Sequence, residues 1–416
     1  MKIDKIIIKP ILVILFLVSF FHLEILPWRV WERNYRMLFI IPILAIFLCK
    51  GRYTFRSFTE RKFIFWYFFF IVLNCITCLI FREQSIFVSL LGWKSFFLIL
   101  FIPTFISWKL TIKQWENVLE SIFVIILFCY IIQYIFLDVE IFRLDKVRDF
   151  LEVETRVRIF SDGILFLGSL YSLNKFFTTK LKFKYSVLYI ISIFIIFMQG
   201  FRMLILGMII CSILLYFRIN GFSKKIFIAL FSLFILSSIA LELPIVQNKI
   251  NEITNRNENS NFENDSYVRV LLIDYFYNEH FKNNLELILG SGMTKLAVAE
   301  SKTEISQPLS KYARYRSQLA AYNHFYPVDV GLIGLSWEAG IPFTITFILL
   351  LLSMAKKKVE KDYFYLGFFE LFGVIVGGTH AMCYWHSNII YHALVFVIIY
   401  KANILYSLKQ KKYLTI

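Results

Sequence analysis

Residues 185–217 read YSVLYIISIFIIFMQGFRMLILGMIICSILLYF, an apolar tract interrupted at Gln199-Gly-Phe-Arg202. A single helix of this length would be roughly 50 Å long, against about 30 Å of hydrocarbon in a bilayer. We therefore predict two membrane-spanning helices joined by a turn. The arms, 185–199 and 203–217, would each reach only ~22 Å. The turn should then lie below the outer headgroup level, or the bilayer should thin around it.

The composition of the whole chain shows that this tract belongs to a membrane protein. Hydrophobic residues make up 58% of the 416 residues, charged residues make up 18%, and the mean hydropathy is +0.66. A soluble domain needs far more polar surface, so nucleic-acid-binding proteins, coiled coils and disordered scaffolds are excluded as primary classes. The pattern predicts an all-α polytopic membrane protein of about twelve transmembrane helices. The predicted spans are 10–23, 37–49, 63–81, 86–107, 118–137, 163–177, 185–199, 203–217, 226–243, 329–354, 363–378 and 388–406.

The net charge of +16 is concentrated in basic clusters between the apolar stretches. Short loops rich in lysine and arginine remain in the cytoplasm, and a fold-back within 185–217 lets all the clusters share that side. The excess charge therefore indicates a cytoplasmic face against the anionic lipids of the bilayer, with both termini inside and no nucleic acid as partner. The clusters are Lys2/Lys5/Lys9, Lys50 to Lys62, Lys109/Lys113, Lys175 to Lys184, Arg218 to Lys225, Lys356 to Lys361 and Lys401 to Lys412.

The spans divide the chain into three parts. Residues 1–243 form an N-terminal transmembrane bundle of about nine spans, which includes an outward loop at 138–162. Residues 244–328 form one large extracytoplasmic loop, in which 267–277 predict an amphipathic helix on the membrane surface. Residues 329–416 add about three C-terminal spans.

Three outward side chains are candidate catalytic residues. Arg202 lies at the tip of the predicted hairpin, and an ionisable group at membrane depth is functional by default, although an arginine can also simply reach for the interface. Arg269 lies on the predicted amphipathic helix, where the alternative is a contact with lipid headgroups. His324 lies where the large loop returns to the membrane. A lone loop histidine is more often incidental, which is the alternative for His324.

Other outward residues are candidates for substrate binding. The loop 138–162 is dense in charges of both signs, so it either guides a substrate or forms a solvated face with mutual ion pairs. A second basic and aromatic stretch runs from Lys311 to Arg316. The candidates in these segments and beside His324 are Arg156, Arg158, Arg314, Arg316 and Asn323.

No metal site is predicted. Zinc sites need clustered ligands of fixed geometry, and His380, His386 and His392 are spaced by six residues, with His392 inside a span. No paired outward Asp-x-Asp suggests a magnesium-diphosphate site.

The candidate residues fit the chemistry of a lipid-linked diphosphate. Guanidinium groups pair with phosphate bidentately and stay charged at all relevant pH values, and they can stabilise a diphosphate leaving group without a metal. Histidine is well suited at neutral pH to take a proton from an attacking sugar hydroxyl. The set fits glycosyl transfer from a polyprenyl diphosphate, and it fits simple binding of such a lipid equally well.

The order of these motifs resembles that of the O-antigen polymerase (Wzy-type) and O-antigen ligase superfamily. The resemblance is carried by Gln199-Gly-Phe-Arg202, Arg269, Leu289-Gly-Ser-Gly, and Asn323-His324 before Asp329-Val-Gly-Leu-Ile-Gly, with Glu338-Ala-Gly-Ile farther along. It covers roughly residues 155–345, together with the twelve-span layout and the large outer loop. Phe201 replaces the small residue that is usual before the first arginine.

The resemblance implies a GT-C-like helical fold and metal-independent, inverting glycosyl transfer without a cofactor. It also implies an active site on the extracytoplasmic face of the bacterial inner membrane. The substrate would be an undecaprenyl-diphosphate-linked oligosaccharide, with Arg202 and Arg269 on the diphosphate and His324 on the acceptor hydroxyl. A chain-length regulator and a flippase are the expected protein partners. A polymerase of O-antigen, capsule or exopolysaccharide repeats is favoured over a ligase that transfers glycan to lipid A core.

Two other classes of function remain open. A flippase or other transporter of lipid-linked oligosaccharide would place charges along a mid-membrane pathway, often in broken helices, and the mid-span charges here are chiefly Lys94 and Glu370. A non-catalytic membrane scaffold would not need the recessed Arg202.

Overall fold

A computed structural model describes most of the predicted transmembrane bundle. The described residues are 60–136, 144–148, 155–159, 163–199, 201–221, 273, 276–293, 330–378, 380–384 and 388–414. Five helices in these ranges are long and apolar enough to cross a membrane. They are Arg61–Arg82, Ile112–Ile135, Lys182–Gln199, Arg202–Asn220 and Ile389–Lys411. The expectation of a helical membrane protein is confirmed at this level.

The first half of the chain contains seven α-helices and a hairpin among its described residues. Their bounds are α1 (Arg61–Arg82), α2 (Ile86–Trp93), a 3-10 helix (Phe96–Leu100), α3 (Phe101–Ser107), α4 (Ile112–Ile135), β1 (Leu144–Arg148), β2 (Thr155–Ile159), α5 (Gly163–Thr178), α6 (Lys182–Gln199) and α7 (Arg202–Asn220).

The second half is built from both short and long helices. Their bounds are a π-helical turn (Phe276–His280), α8 (Asn284–Leu289), α9 (Leu332–Ala339), α10 (Ile341–Ala355), a 3-10 helix (Lys361–Tyr363), α11 (Phe364–Gly377), a second 3-10 helix (Ala381–Tyr384) and α12 (Ile389–Leu414). The predicted spans 10–23, 37–49 and 226–243 lie outside the described residues, so the count of about twelve stays a prediction.

The tract at 185–217 folds back on itself as predicted. Helix α6 ends at Gln199 and α7 begins at Arg202. The hydroxyl of Tyr189 donates a hydrogen bond to Ser212 Oγ at 3.0 Å. Because these residues are nearly equidistant from Gly200 along the chain, the two helices must run antiparallel. The helices have 18 and 19 residues and lengths of ~27 and ~28 Å, so they extend a few residues beyond the apolar arms that the sequence predicted.

Ion pairs join the helix ends at one end of the bundle, here called the basic end. Lys357 Nζ, after α10, lies 2.5 Å from Glu60 before α1. Lys175 Nζ, in the last turn of α5, lies 2.8 Å from Glu116 in the first turns of α4. Lys409 Nζ, near the end of α12, lies 2.6 Å from Glu360 before α11. These lysines come from three predicted cytoplasmic clusters, so the structure confirms that those clusters share an end.

The core of the bundle is packed with aromatic and aliphatic side chains. The ring of Phe343 in α10 lies 4.6 Å from Trp93 at the end of α2 and 4.9 Å from Tyr67 in α1. Residues 389–399 of α12 are all buried, with their side chains covered on every side. Helix α12 is therefore a central helix of the bundle.

Two predicted spans are broken within the bundle. The span 86–107 consists of α2, a turn at Lys94-Ser95, the 3-10 helix and α3. The span 329–354 is interrupted at Gly340, which has φ +93° and separates α9 from α10. Apolar residues on both sides of an interruption give the same hydropathy as an unbroken helix, so the sequence predicted the two spans but not their interruptions.

The loop 138–162, which the sequence predicts to face outward, contains two antiparallel strands that were not predicted. Leu144 pairs with Ile159 and Arg148 with Thr155. The alternation of polar and apolar residues in Arg156-Val-Arg-Ile159 is typical of a strand and could have indicated it.

Candidate functional site

Arg202 lies at the end of the bundle opposite the basic end, here called the loop end. It is the first residue of α7 and is exposed. Phe201 precedes it in extended conformation (φ −85°, ψ 98°), makes no side-chain capping bond, and packs its ring 5.3 Å from that of His380. A helix N-terminus carries partial positive charge, so the guanidinium and the helix together favour an anion at this position.

Gln199 lies on the other side of the same break and is buried, with 7% of its surface exposed. Neither its Oε1 nor its Nε2 forms a hydrogen bond to any described residue. The sequence identified Gln199 only as part of the turn motif. Its position at the end of an apolar helix, three residues before Arg202, is a signal that could have singled it out.

The two glycine-containing motifs of the second half contact each other directly. In Leu289-Gly-Ser-Gly, the backbone N–H groups of Ser291 and Gly292 donate to the carbonyls of Trp337 and Glu338, each at 2.9 Å. A Cβ on Gly290 would lie 2.4 Å from the nitrogen of Gly340. The end of α8 is therefore packed backbone to backbone against the break between α9 and α10. We call this contact the glycine junction.

Asn74 of α1 links the two sides of the glycine junction. Its Nδ2 donates to Leu289 O at 2.8 Å and to Glu338 O at 3.0 Å, and its Oδ1 accepts from Trp93 Nε1 at 3.1 Å. These bonds satisfy carbonyls that end two short helices inside the bundle. The sequence interpretation did not include Asn74, although a single amide within an apolar span is a visible signal.

A buried ion pair fixes the described part of the large loop against α1. Arg82 Nε pairs with Glu286, and Arg82 Nη2 donates to His280 O at 2.6 Å. Glu286 also accepts from the backbone N–H of Lys282 at 2.8 Å. Breaking a buried ion pair of this kind costs about 3–5 kcal/mol. The sequence interpretation did not single out Arg82.

Contacts place this segment at the same end of the bundle as Arg202. Ser291 bonds to Trp337 of α9, and Gly331, just before α9, accepts a hydrogen bond from the Tyr384 hydroxyl at 2.8 Å. Tyr384 ends the 3-10 helix that follows His380, whose ring contacts Phe201. The loop end therefore contains both Arg202 and the described residues 276–293.

The remaining predicted site residues have only partial structural descriptions. Arg156 and Arg158 lie on β2, in register with Val147 and Asp145 of β1. Phe276 and Tyr277, the last two residues of the predicted amphipathic helix, belong to the π-helical turn instead. Five predicted site residues lie outside the described residues, and they are Arg269, Arg314, Arg316, Asn323 and His324.

Ionisable side chains are also buried in the bundle core. His392 Nε2 donates to Cys383 O at 2.9 Å, since a carbonyl only accepts, and His392 Nδ1 lies 2.7 Å from Glu370 Oε2. Lys94 is 1% exposed at the break of the 86–107 span. Among the described residues, no three His, Cys, Asp or Glu side chains are grouped as metal ligands would be.

No protein-family model matches the chain, and no curated protein resembles it significantly.

Proposed function

We propose that this protein is a membrane-integral glycosyltransferase that polymerises polysaccharide repeat units on the extracytoplasmic face of the bacterial inner membrane. A sugar hydroxyl of one lipid-linked repeat attacks the anomeric carbon of another, and the bond from that carbon to undecaprenyl diphosphate breaks. Arg202 and Arg269 bind the departing diphosphate, and His324 accepts the hydroxyl proton. The transfer requires no metal, because the guanidinium groups neutralise the developing charge.

The observation that carries the proposal is the position of Arg202. Arg202 is the first residue of a 19-residue helix, which starts immediately after a break in an apolar tract. It lies at the same end of the bundle as residues 276–293 of the large loop. A cation at the exposed start of a helix, at the edge of the apolar bundle, suits a ligand with an anionic head and a long hydrocarbon tail.

Replacement of Arg202 tests the proposal. In a host that lacks the chromosomal copy, Arg202→Ala should abolish long-chain polysaccharide, as measured by gel electrophoresis, while single lipid-linked repeats accumulate on the outer leaflet. Losing one charge-assisted contact should slow each transfer by about tenfold or more, and long chains, which need many successive transfers, should then be lost. Arg202→Lys should retain part of the activity, because it keeps the charge but not the bidentate geometry.

Arg218→Ala is the matched control. Arg218 lies on the same helix at the basic end, where its guanidinium lies 5.3 Å from the ring centre of Phe364. This variant should make long-chain polysaccharide normally at an equal protein level. Long chains from Arg202→Ala at wild-type abundance would overturn the proposed function.

A second function, transport of lipid-linked oligosaccharide across the membrane, is favoured by the break in the 86–107 span. Lys94 lies at that break and is buried in the bundle. The Glu370–His392 pair adds further ionisable groups to the core. Broken helices with buried charged groups are frequent at the binding sites of transporters.

The leaflet on which lipid-linked repeats accumulate separates the two functions. A transporter that loses Lys94 through Lys94→Met should leave repeats on the cytoplasmic leaflet, inaccessible to an externally added lectin or glycosidase. A polymerase variant leaves them on the outer leaflet, where such reagents reach them.

A further inference from the structure

Gln199 faces the interior of the bundle. The buried residues of α6 are Tyr185, Ser192, Ile195, Ile196 and Gln199. Their spacing of three and four residues defines one face of a helix. The ring of Tyr185 on this face lies 5.8 Å from that of Tyr171 in α5. The carboxamide of Gln199 is therefore on the covered face of α6, at the loop end.

This carboxamide is unusual among the buried amides of the described bundle. Asn74 uses its nitrogen twice and its oxygen once, as described above. In contrast, neither Oε1 nor Nε2 of Gln199 makes a hydrogen bond to a described residue. A buried polar group without a partner lowers the stability of the folded state. An apolar side chain of the same size would be more stable there. The carboxamide therefore has a donor and an acceptor available for a ligand at the loop end.

The break brings Gln199 close to Arg202. Arg202 follows Gln199 by three positions, so their Cα atoms are at most ~11 Å apart. Arg202 is exposed and Gln199 is buried. A ligand whose charged group binds Arg202 at the surface can thus extend a neighbouring group inward to Gln199.

We propose that Gln199 binds the sugar that is joined directly to the diphosphate held by Arg202. This inference rests on the proposed function and extends it to a specificity-determining residue. A phosphate oxygen only accepts hydrogen bonds and would leave Gln199 Oε1 unsatisfied. A sugar hydroxyl or acetamido group both donates and accepts, so it satisfies both atoms of the carboxamide.

The variant Gln199→Met tests the proposal, because methionine has nearly the same shape and no hydrogen-bonding group. Full-length protein in nanodiscs is titrated with two ligands, namely undecaprenyl diphosphate and the lipid-linked repeat extracted from host cells that lack this protein. Gln199→Met should weaken binding of the lipid-linked repeat by about tenfold, the effect of a lost neutral hydrogen bond or two. Binding of undecaprenyl diphosphate should not change, and the melting temperature should rise.

Two comparison variants make the result specific. Arg202→Ala should weaken binding of both ligands. Ser172 lies in the half of α5 nearer the basic end, and its buried hydroxyl also makes no hydrogen bond to described residues. Ser172→Ala removes this hydroxyl. It should raise the melting temperature and change neither affinity.

Each other outcome overturns the proposal. If Gln199→Met binds each ligand with the same affinity as the wild type, a contact with the sugar is excluded. Equal weakening of both would assign Gln199 to the diphosphate, and a lower melting temperature would indicate a structural role. If the wild-type protein binds neither ligand, or if Arg202→Ala binds both normally, the proposed function itself fails.

Discussion

His280 is a titratable side chain that becomes fully covered when the chain folds. It has 0% of its surface exposed, and its ring lies 4.7 Å from that of Phe276. Burial, and then the positive charges of Arg82 and Lys282, lower the pKa of His280 well below its usual value of 6.5. The folded protein therefore keeps this imidazole neutral at a pH where the unfolded chain binds a proton.

This difference predicts a pH dependence of stability. Above about pH 6.5 neither state protonates His280, and its contribution to stability is fully present. Between pH 6.5 and the lower pKa of the folded state, the unfolded state gains the proton, so stability should fall by up to about 1.4 kcal/mol per pH unit. Melting temperatures of detergent-purified wild type and His280→Phe, measured from pH 8 to pH 5, should diverge below pH 6.5. Parallel curves would contradict the assignment.

At the scale of elements, the glycine junction explains how short helices are held inside the bundle. Helices of six and eight residues, α8 and α9, are too short to be stable alone. Backbone hydrogen bonds across the junction and the two bonds from Asn74 satisfy their terminal carbonyls. The buried pair Arg82–Glu286 holds the other end of this assembly.

Substitution of Gly340 tests the junction. Its backbone (φ 93°, ψ 152°) lies in a region that is essentially restricted to glycine, and a Cβ would lie 2.5 Å from Leu289 O. Gly340→Ala should therefore combine backbone strain with a clash. We expect a total loss of about 2–6 kcal/mol in the free energy of unfolding.

Gly221→Ala is the control for backbone strain alone. Gly221 has a similar backbone (φ 71°, ψ 177°), but a Cβ there would meet nothing within 4 Å. Its loss should be limited to about 1–3 kcal/mol. Both free energies of unfolding are measured by denaturation in the same detergent. If the two variants lose the same amount, the close packing at the glycine junction adds nothing to stability beyond the backbone strain.

At the scale of the whole molecule, the bundle has two chemically different ends. The basic end gathers lysines from clusters that are far apart in the sequence, such as Lys175, Lys357 and Lys409. The loop end contains Arg202 and residues 276–293. Lysine and arginine clusters stay in the cytoplasm, so the loop end should face outward.

Cysteine labelling measures this orientation. Asn284 at the loop end and Lys180 at the basic end are both exposed. A membrane-impermeant maleimide should label Asn284→Cys in intact spheroplasts, and Lys180→Cys only after permeabilisation, each compared with the unsubstituted protein. The reverse pattern would put Arg202 in the cytoplasm and rule out the proposed extracytoplasmic site.

The sequence alone determined the membrane-spanning character, the fold-back at Gln199-Gly-Phe-Arg202 and the grouping of basic clusters at one end. These features follow from hydropathy, helix length and local charge, which are properties of neighbouring residues. Only the tertiary structure decided the breaks at Lys94 and Gly340, the role of Asn74, the Arg82–Glu286 pair and the burial of Gln199. The breaks, the role of Asn74 and the ion pair depend on which distant backbone or side-chain group contacts a polar atom inside an apolar bundle. The burial of Gln199 depends on which helices cover that face of α6. An apolar stretch has the same hydropathy whether its helix is broken or continuous, so hydropathy could not specify the breaks. The isolated amides Asn74 and Gln199 could be noticed in the sequence, but their contacts and burial could not be read from it. Arg269 and His324 stay predictions that rest on their order in the sequence.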